Sequence, residues 1–311
     1  MFERRDVLQS AIAGTTLGGS ISQADMGSPQ TKRPFVLVHG SWHGAWCFER
    51  LSGLLSAAGH PVTAHDLPGH GLGAQYPASY SIYPRGAGFG TEASPLAAVT
   101  LADYTKQVVD IINGLLAAGQ PAPVLVGHSM GGIVVQSVAE TLGPSKIHHL
   151  VYIAGFMPKD NVPLLNYIEG PTLADSKLGP LLLADPTSVG VLRLDPQSAS
   201  TDYIQDLEDA FYGDVDAVTK RAARNLMTPD DPVAPFAIPL HVTEDAWGAV
   251  PRTYLRCAND WAIRPACQDL MISHADEFTP QNKTNIIRLD SGHSPFFSQP
   301  HTVADNLLAL V

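Results

Sequence analysis

Residues 123–140 constrain this chain more than any other stretch. A short apolar run, Pro123-Val124-Leu125-Val126, leads into Gly127-His128-Ser129-Met130-Gly131. Gly132 to Glu140 then places its apolar residues at helical spacing. A serine between two glycines at a strand-to-helix turn has the form of a nucleophile elbow. So tight a turn predicts a strained backbone at Ser129, and a Cβ at position 127 or 131 would crowd it. The hydroxyl is then lifted above the sheet edge at a helix N-terminus, where negative charge is stabilised. The segment predicts a parallel α/β sheet carrying an activated serine.

A serine hydroxyl needs a base, a group that orients the base, and donors for the oxyanion. On this kind of scaffold the chain order is Ser, then Asp or Glu, then His, with the histidine just past the last strand. Of the twelve histidines, His293 alone has that placement, in Leu289-Asp290-Ser291-Gly292-His293-Ser294-Pro295. Asp260, in Cys257-Ala258-Asn259-Asp260-Trp261, follows the preceding strand and is the predicted acid, with Asp160 after an earlier strand as the alternative. The predicted oxyanion donors are the N–H of Met130 and the N–H of Ser41 in His39-Gly40-Ser41-Trp42. Trp42 and Phe296 are predicted to touch substrate, and His43 reads as a loop-packing residue. Such chemistry requires no metal and no organic cofactor.

The strand rhythm runs through 34–39, 61–65, 123–126, 147–154, 253–257 and 286–289, alternating with helical patterns at 45–58, 101–118, 132–140 and 302–311. That alternation implies a mostly parallel sheet with helices on both faces. From about 157 to 247 it stops, which predicts a cap inserted over the sheet's C-terminal edge. Residues 72–95 read as a long loop. Its Tyr76, Tyr80, Tyr83 and Phe89 either pack on one another or extend the binding site.

A formal net charge of −11 on 311 residues speaks against nucleic acid and anionic membrane surfaces as partners. The three cysteines, Cys47, Cys257 and Cys267, form no disulfide framework; buried thiols are the simplest reading, with Cys257 and Cys267 the nearest pair. Arg4-Arg5 precedes a weakly apolar segment, Ala11 to Ile21, and a small-residue site at Ser22-Gln23-Ala24. Residues 1–24 therefore resemble a twin-arginine export signal, cleaved near Ala24 and too short to span a bilayer. The predicted hydrolase domain covers 25–311. Composition sets no oligomeric state.

Val36-Leu37-Val38-His39-Gly40-Ser41-Trp42-His43-Gly44-Ala45-Trp46, Asp66-Leu67-Pro68-Gly69-His70-Gly71 and the elbow resemble the α/β-hydrolase superfamily. More narrowly, with Trp247–Leu255 and Gly292-His293-Ser294-Pro295, they resemble its branch of plant methyl-ester esterases, hydroxynitrile lyases and bacterial relatives. The lyases carry a threonine where Gly40 stands and a lysine where Ser294 stands. Both are absent, so the resemblance implies an esterase acting on small or medium carboxylic esters. Lactone or carbon–carbon bond hydrolysis on the same triad is the alternative within catalysis, and a receptor-like binding protein the alternative outside it.

Overall fold

The computed structural model describes residues 32–311. The expectation of an export signal at 1–24 lies outside them. Six strands form the main sheet: β1 (Phe35–Val38), β2 (Val62–Ala64), β3 (Val124–His128), β4 (His149–Ile153), and, after a long insertion, β7 (Arg252–Cys257) and β8 (Asn285–Leu289). Their order is β2-β1-β3-β4-β7-β8 and every pairing is parallel. Parallel strands need crossover connections, and helices supply most of them. These are α1 (Glu49–Ala57), α2 (Leu101–Ala117), α3 (Gly131–Leu142) and α6 (Pro265–Phe278), while α7 (Pro300–Leu308) follows β8.

Strand alternation divides the core into two layers. Phe35 and Leu37 of β1 join Val124 and Val126 of β3, Leu51 and Leu55 of α1, and Val303 and Leu307 of α7. Val36 and Val38 face the other way, toward Tyr104, Val108 and Ile112 of α2 and Ile133 and Val134 of α3. Each such fully buried aliphatic chain contributes roughly 1.5–3 kcal/mol. α2 starts on a capping box, with Thr100 accepting from the Asp103 N–H and the Asp103 carboxylate accepting from the Thr100 N–H.

From β1 the chain steps to β2 on one side and returns to β3 on the other. The ends of β1 and β3 thus flank a topological switch point, where ligands bind in open α/β sheets.

Between β4 and β7 the chain leaves the sheet. This cap contains several one-turn helices, α4 (Thr201–Tyr212), α5 (Ala217–Leu226), and an antiparallel strand pair, β5 (Val191–Arg193) and β6 (Asp230–Pro232), a hairpin in its pairing although α4 and α5 lie between its strands. The hairpin was not foreseen. One end of it is ionic: Arg193 makes a fork to both oxygens of Asp230 at 2.6 and 2.7 Å, with both side chains fully buried. The third Arg193 nitrogen donates to the carbonyls of Phe89 and Glu92 at 2.6 and 2.7 Å, which fastens the 72–95 loop to the cap. That loop is a chain of short turns whose aromatics pack together. Tyr80 lies against Tyr76 and Phe89 with centroids 5.4 and 5.6 Å away, and Arg85 sits 4.0 Å over Tyr80. Tyr83 remains exposed. Among the described residues no helix is long and apolar enough to cross a membrane.

Candidate active site

The elbow follows β3, and Ser129 has φ +53°, a left-handed conformation that a serine adopts only when its surroundings impose it. Three hydrogen bonds impose it here. The Ser129 N–H donates to the Ile153 carbonyl, and the Ser129 carbonyl accepts from the Gly132 and Phe156 N–H groups. The flanking glycines are obligatory: a Cβ on Gly127 would lie 2.5 Å from the Gly131 carbonyl oxygen, and one on Gly131 would lie 2.5 Å from that of Val38.

His293 and Asp260 arrive from the loops after β8 and β7, which are neighbours in the sheet. His293 Nδ1 donates to Asp260 Oδ2 at 2.7 Å, and both residues are essentially buried. Asp260 is saturated with donors. Its Oδ1 accepts from the Ala262 and Ile263 N–H groups, both at 2.8 Å, and Gln268 Nε2 reaches Oδ2 at 3.3 Å. Gln268 also holds the end of β7, accepting from Cys257 N–H and donating to the carbonyls of Cys257 and Ile263. Nothing in the sequence distinguished this glutamine from its helix neighbours. On the far side of the ring, His293 Nε2 has no hydrogen-bond partner among the described residues. No hydrogen bond joins it to Ser129 Oγ, a contact that often tightens only once substrate is bound.

Asp160, the other candidate acid, lies elsewhere. It accepts from the Val242 N–H at 2.8 Å and from His241 Nδ1 at 2.9 Å, and so secures the cap's return segment.

The loop after β1 abuts the elbow: a Cβ built on Gly40 would come within 2.7 Å of Ser129 Cβ. A threonine at this position would collide with the elbow serine. Ser41 and Met130 are both buried, and among the described residues neither backbone N–H donates a hydrogen bond. His39 orients the intervening peptide. Its Nε2 accepts from the Leu67 N–H, so its Nδ1 donates to the Gly40 carbonyl at 2.9 Å. In a trans peptide the Ser41 N–H then points away from that carbonyl.

Trp42 and Phe296, predicted to touch substrate, are 2% and 0% exposed. Trp42 directs its indole N–H to the Leu192 carbonyl of the cap hairpin at 2.9 Å. Phe296 packs beneath the site, 4.7 Å from the His128 ring and 5.1 Å from Phe48. Both are as buried as His293 and pack in the frame around the site.

Two further histidines belong to the site's frame. His128 bridges to the His293 carbonyl through Nε2 at 3.0 Å, its ring 4.6 Å from that of His293. Burial, and then the proximity of His293, holds His128 well below the ordinary histidine range. His43 lies between Ser41 and Tyr212, and burial lowers it to about 4. Ser294, where the lyases carry lysine, is fully buried and brings no charge. The three thiols are free and buried; burial raises Cys267 to about 11 and the other two further. No group of three or more His, Cys, Asp or Glu side chains among the described residues is placed to hold a metal ion.

A parallel sheet with a strained serine turn at its switch point and a histidine–aspartate pair on neighbouring strand ends defines the α/β-hydrolase class. Residues 35–306 match the alpha/beta hydrolase family, and the chain belongs to that family, in the branch that holds the plant methylesterases. Methylesterase 7 of Arabidopsis thaliana is 30% identical over 293 residues, spanning 90% of this chain and 96% of that protein. Methylesterase 9 of the same plant is 29% identical over 287 residues, spanning 89% and 97%. Among solved structures, a pyrethroid hydrolase from Sphingobium faniae JZ-2 superposes with a TM-score of 0.69 at 22% identity, covering 90% of this chain and 97% of that one.

Proposed function

We propose that this chain is a serine esterase that hydrolyses small or medium carboxylic esters bearing an apolar or aromatic group. The observation that carries the reading is the geometry of His293, bonded through Nδ1 to a saturated Asp260 and unpartnered at Nε2. Kinship with proteins named methylesterases supports the ester as the bond broken and admits methyl esters.

In this reading Ser129 Oγ attacks the acyl carbon while His293 Nε2 takes its proton. Asp260 keeps the ring in the productive tautomer and stabilises the imidazolium. The Ser41 and Met130 N–H groups receive the oxyanion. The tetrahedral intermediate collapses as His293 returns the proton to the departing alkoxide, releasing the alcohol. Water, deprotonated by the same nitrogen, attacks the acyl-enzyme, and collapse of the second intermediate frees the acid and Ser129.

Cyanohydrin cleavage is disfavoured by the same residues. Departing cyanide calls for a cation beside the histidine, and without a fixed donor a low-dielectric pocket forfeits several kcal/mol. Ser294 is neutral, and Gly40 has no room for a side chain.

The test is a panel of p-nitrophenyl esters, methyl esters, lactones and mandelonitrile, assayed with wild type and Ser129→Ala. Ester turnover by the variant is expected to fall by about 10⁴-fold or more, with cyanide released no faster than in buffer. Near-normal turnover by Ser129→Ala, or cyanide release exceeding ester hydrolysis, overturns the reading. Lactone turnover exceeding that of every ester would transfer the same triad to the alternative substrate class.

Export to the periplasm or medium is proposed from Arg4-Arg5 and the small-residue site at Ala24. Mass spectrometry of the natively produced protein in cell fractions checks it. A mature N-terminus near residue 25 is expected, and an intact N-terminus in the cytoplasm contradicts it.

A further inference from the structure

The oxyanion loop is tied to the cap at both ends of a two-residue stretch. Ser41's carbonyl accepts from His43 Nδ1 at 2.7 Å, and His43 Nε2 lies 2.7 Å from the hydroxyl of Tyr212, the last residue of α4. These partners fix every proton. A carbonyl can only accept, so Nδ1 carries hydrogen; the neutral ring then accepts at Nε2, and Tyr212 donates. His43 is 1% exposed and Tyr212 0%. Burial keeps His43 neutral down to about 4 and pushes the Tyr212 phenol well up, so neither end of the relay titrates in the working range.

The next residue is anchored as well. Trp42 has φ +58°, its carbonyl accepts from the Thr228 N–H, and its indole donates to Leu192, both partners lying in the cap. A tryptophan in the left-handed region is strained and persists only where its neighbours over-determine it. The cap therefore reaches past the serine to the loop that presents the Ser41 N–H.

We propose that His43 and Tyr212 are positioning residues for the oxyanion hole, through which the cap sets the orientation of Ser41. The inference rests on the assignment of Ser41 and Met130 as oxyanion donors. Neither His43 nor Tyr212 touches the reacting atoms. They hold the Ser41–Trp42 peptide, which adjoins the peptide bearing the Ser41 N–H; their effect belongs to the transition state, since that donor is needed only when charge develops on the substrate oxygen.

Three variants test this: Tyr212→Phe, which removes the hydroxyl alone; His43→Leu, which removes both contacts; and His43→Asn, whose amide nitrogen can replace Nδ1 toward Ser41. Loss of a complete oxyanion donor costs about 10²–10³-fold in kcat, so a misaimed one should cost about 10-fold in Tyr212→Phe and up to about 100-fold in His43→Leu. KM should stay within about twofold, because ground-state binding is untouched. His43→Asn should bring kcat back from the His43→Leu level to about that of Tyr212→Phe. Affinity for a trifluoromethyl ketone, whose serine adduct places an oxyanion in the same hole, should fall in proportion to kcat across the series. A purely structural role would lower the melting temperature without that proportionality and without rescue by asparagine. Tight ketone binding that is equal in wild type, Tyr212→Phe and His43→Leu would overturn the inference and leave the donor assignment standing. Failure of the wild type to bind the trifluoromethyl ketone better than the matching methyl ketone would overturn the assignment itself.

Discussion

Two histidine–aspartate pairs are buried among the described residues at almost the same distance, and their surroundings give them opposite characters. His293 and Asp260, 2.7 Å apart, come from loops after adjacent strands of one sheet. The acid takes every donor it can hold, and the base has one nitrogen left over. His70 and Asp231, 2.8 Å apart, join a core loop to the cap hairpin. There the histidine is occupied on both sides, its Nδ1 facing the Pro68 carbonyl at 3.3 Å, and the carboxylate has an unpartnered Oδ2. A pair with a free base nitrogen has something to do to a substrate. A pair closed at the base can only hold two layers together. The neighbours, not the residue types, decide which is which.

The largest expected effect separates the two pairs directly. Asp260→Asn should lower kcat by about 10⁴-fold by favouring the wrong imidazole tautomer, whereas Asp231→Asn should leave kcat within about tenfold. Steady-state kinetics on one aryl ester reads both, with Asp160→Asn as a third variant expected to behave like Asp231→Asn. The reverse ranking would break the comparison.

Next in size is the cap's buried ion pair. Asp230→Ala strands the fully buried Arg193 guanidinium, and removing one partner of a buried pair costs about 3–5 kcal/mol. Urea unfolding followed by tryptophan fluorescence measures it. A loss below 1 kcal/mol would mean that the hairpin is held by its apolar packing alone.

Acid should weaken the fold through the neutral histidines that frame the site. His43 is lowered from 6.5 to about 4, so between those values the unfolded chain binds a proton that the folded chain does not. Stability from this ring is complete above about pH 6.5 and is lost as pH falls toward 4, on the order of 3 kcal/mol over the window. His39 and His128 shift in the same direction. Urea midpoints at pH 7 and 4.5 check the sign, and an unchanged or higher midpoint in acid would contradict it. The smallest effect falls on the exposed 72–95 loop, where Tyr83→Ala should change stability by less than about 0.5 kcal/mol.

The contrast between core and cap also explains what could be read from the chain. β1, β3 and β4 are apolar runs bounded by turns, and the elbow glycines answer to local sterics, so sequence carries both. The hairpin is invisible to that logic. Val191-Leu192-Arg193 and Asp230-Asp231-Pro232 are three residues each and half polar, and they become strands only because Arg193 meets Asp230 across 37 positions. In the sequence Asp260 is favoured over Asp160 by its place after the strand before that of His293, and three dimensions add its 2.7 Å bond to that histidine. Gln268, His128 and Tyr212 escaped notice, since each derives its meaning from a partner that spacing does not reveal. His43 read as a packing residue, which its stacking on Trp46 at 5.3 Å bears out, while its hydrogen bonds lay beyond the sequence.

One measurement bears most directly on the account, because all of it turns on Ser129 being the activated nucleophile. A fluorophosphonate reacts only with such a serine and turns over negligibly once attached. Incubation at stoichiometric probe, followed by intact-mass and peptide mass spectrometry, should give one phosphonyl group per chain on the peptide carrying Ser129. Ester hydrolysis should fall in step with labelling. An adduct on another residue, or hydrolysis that survives complete labelling of Ser129, would contradict it.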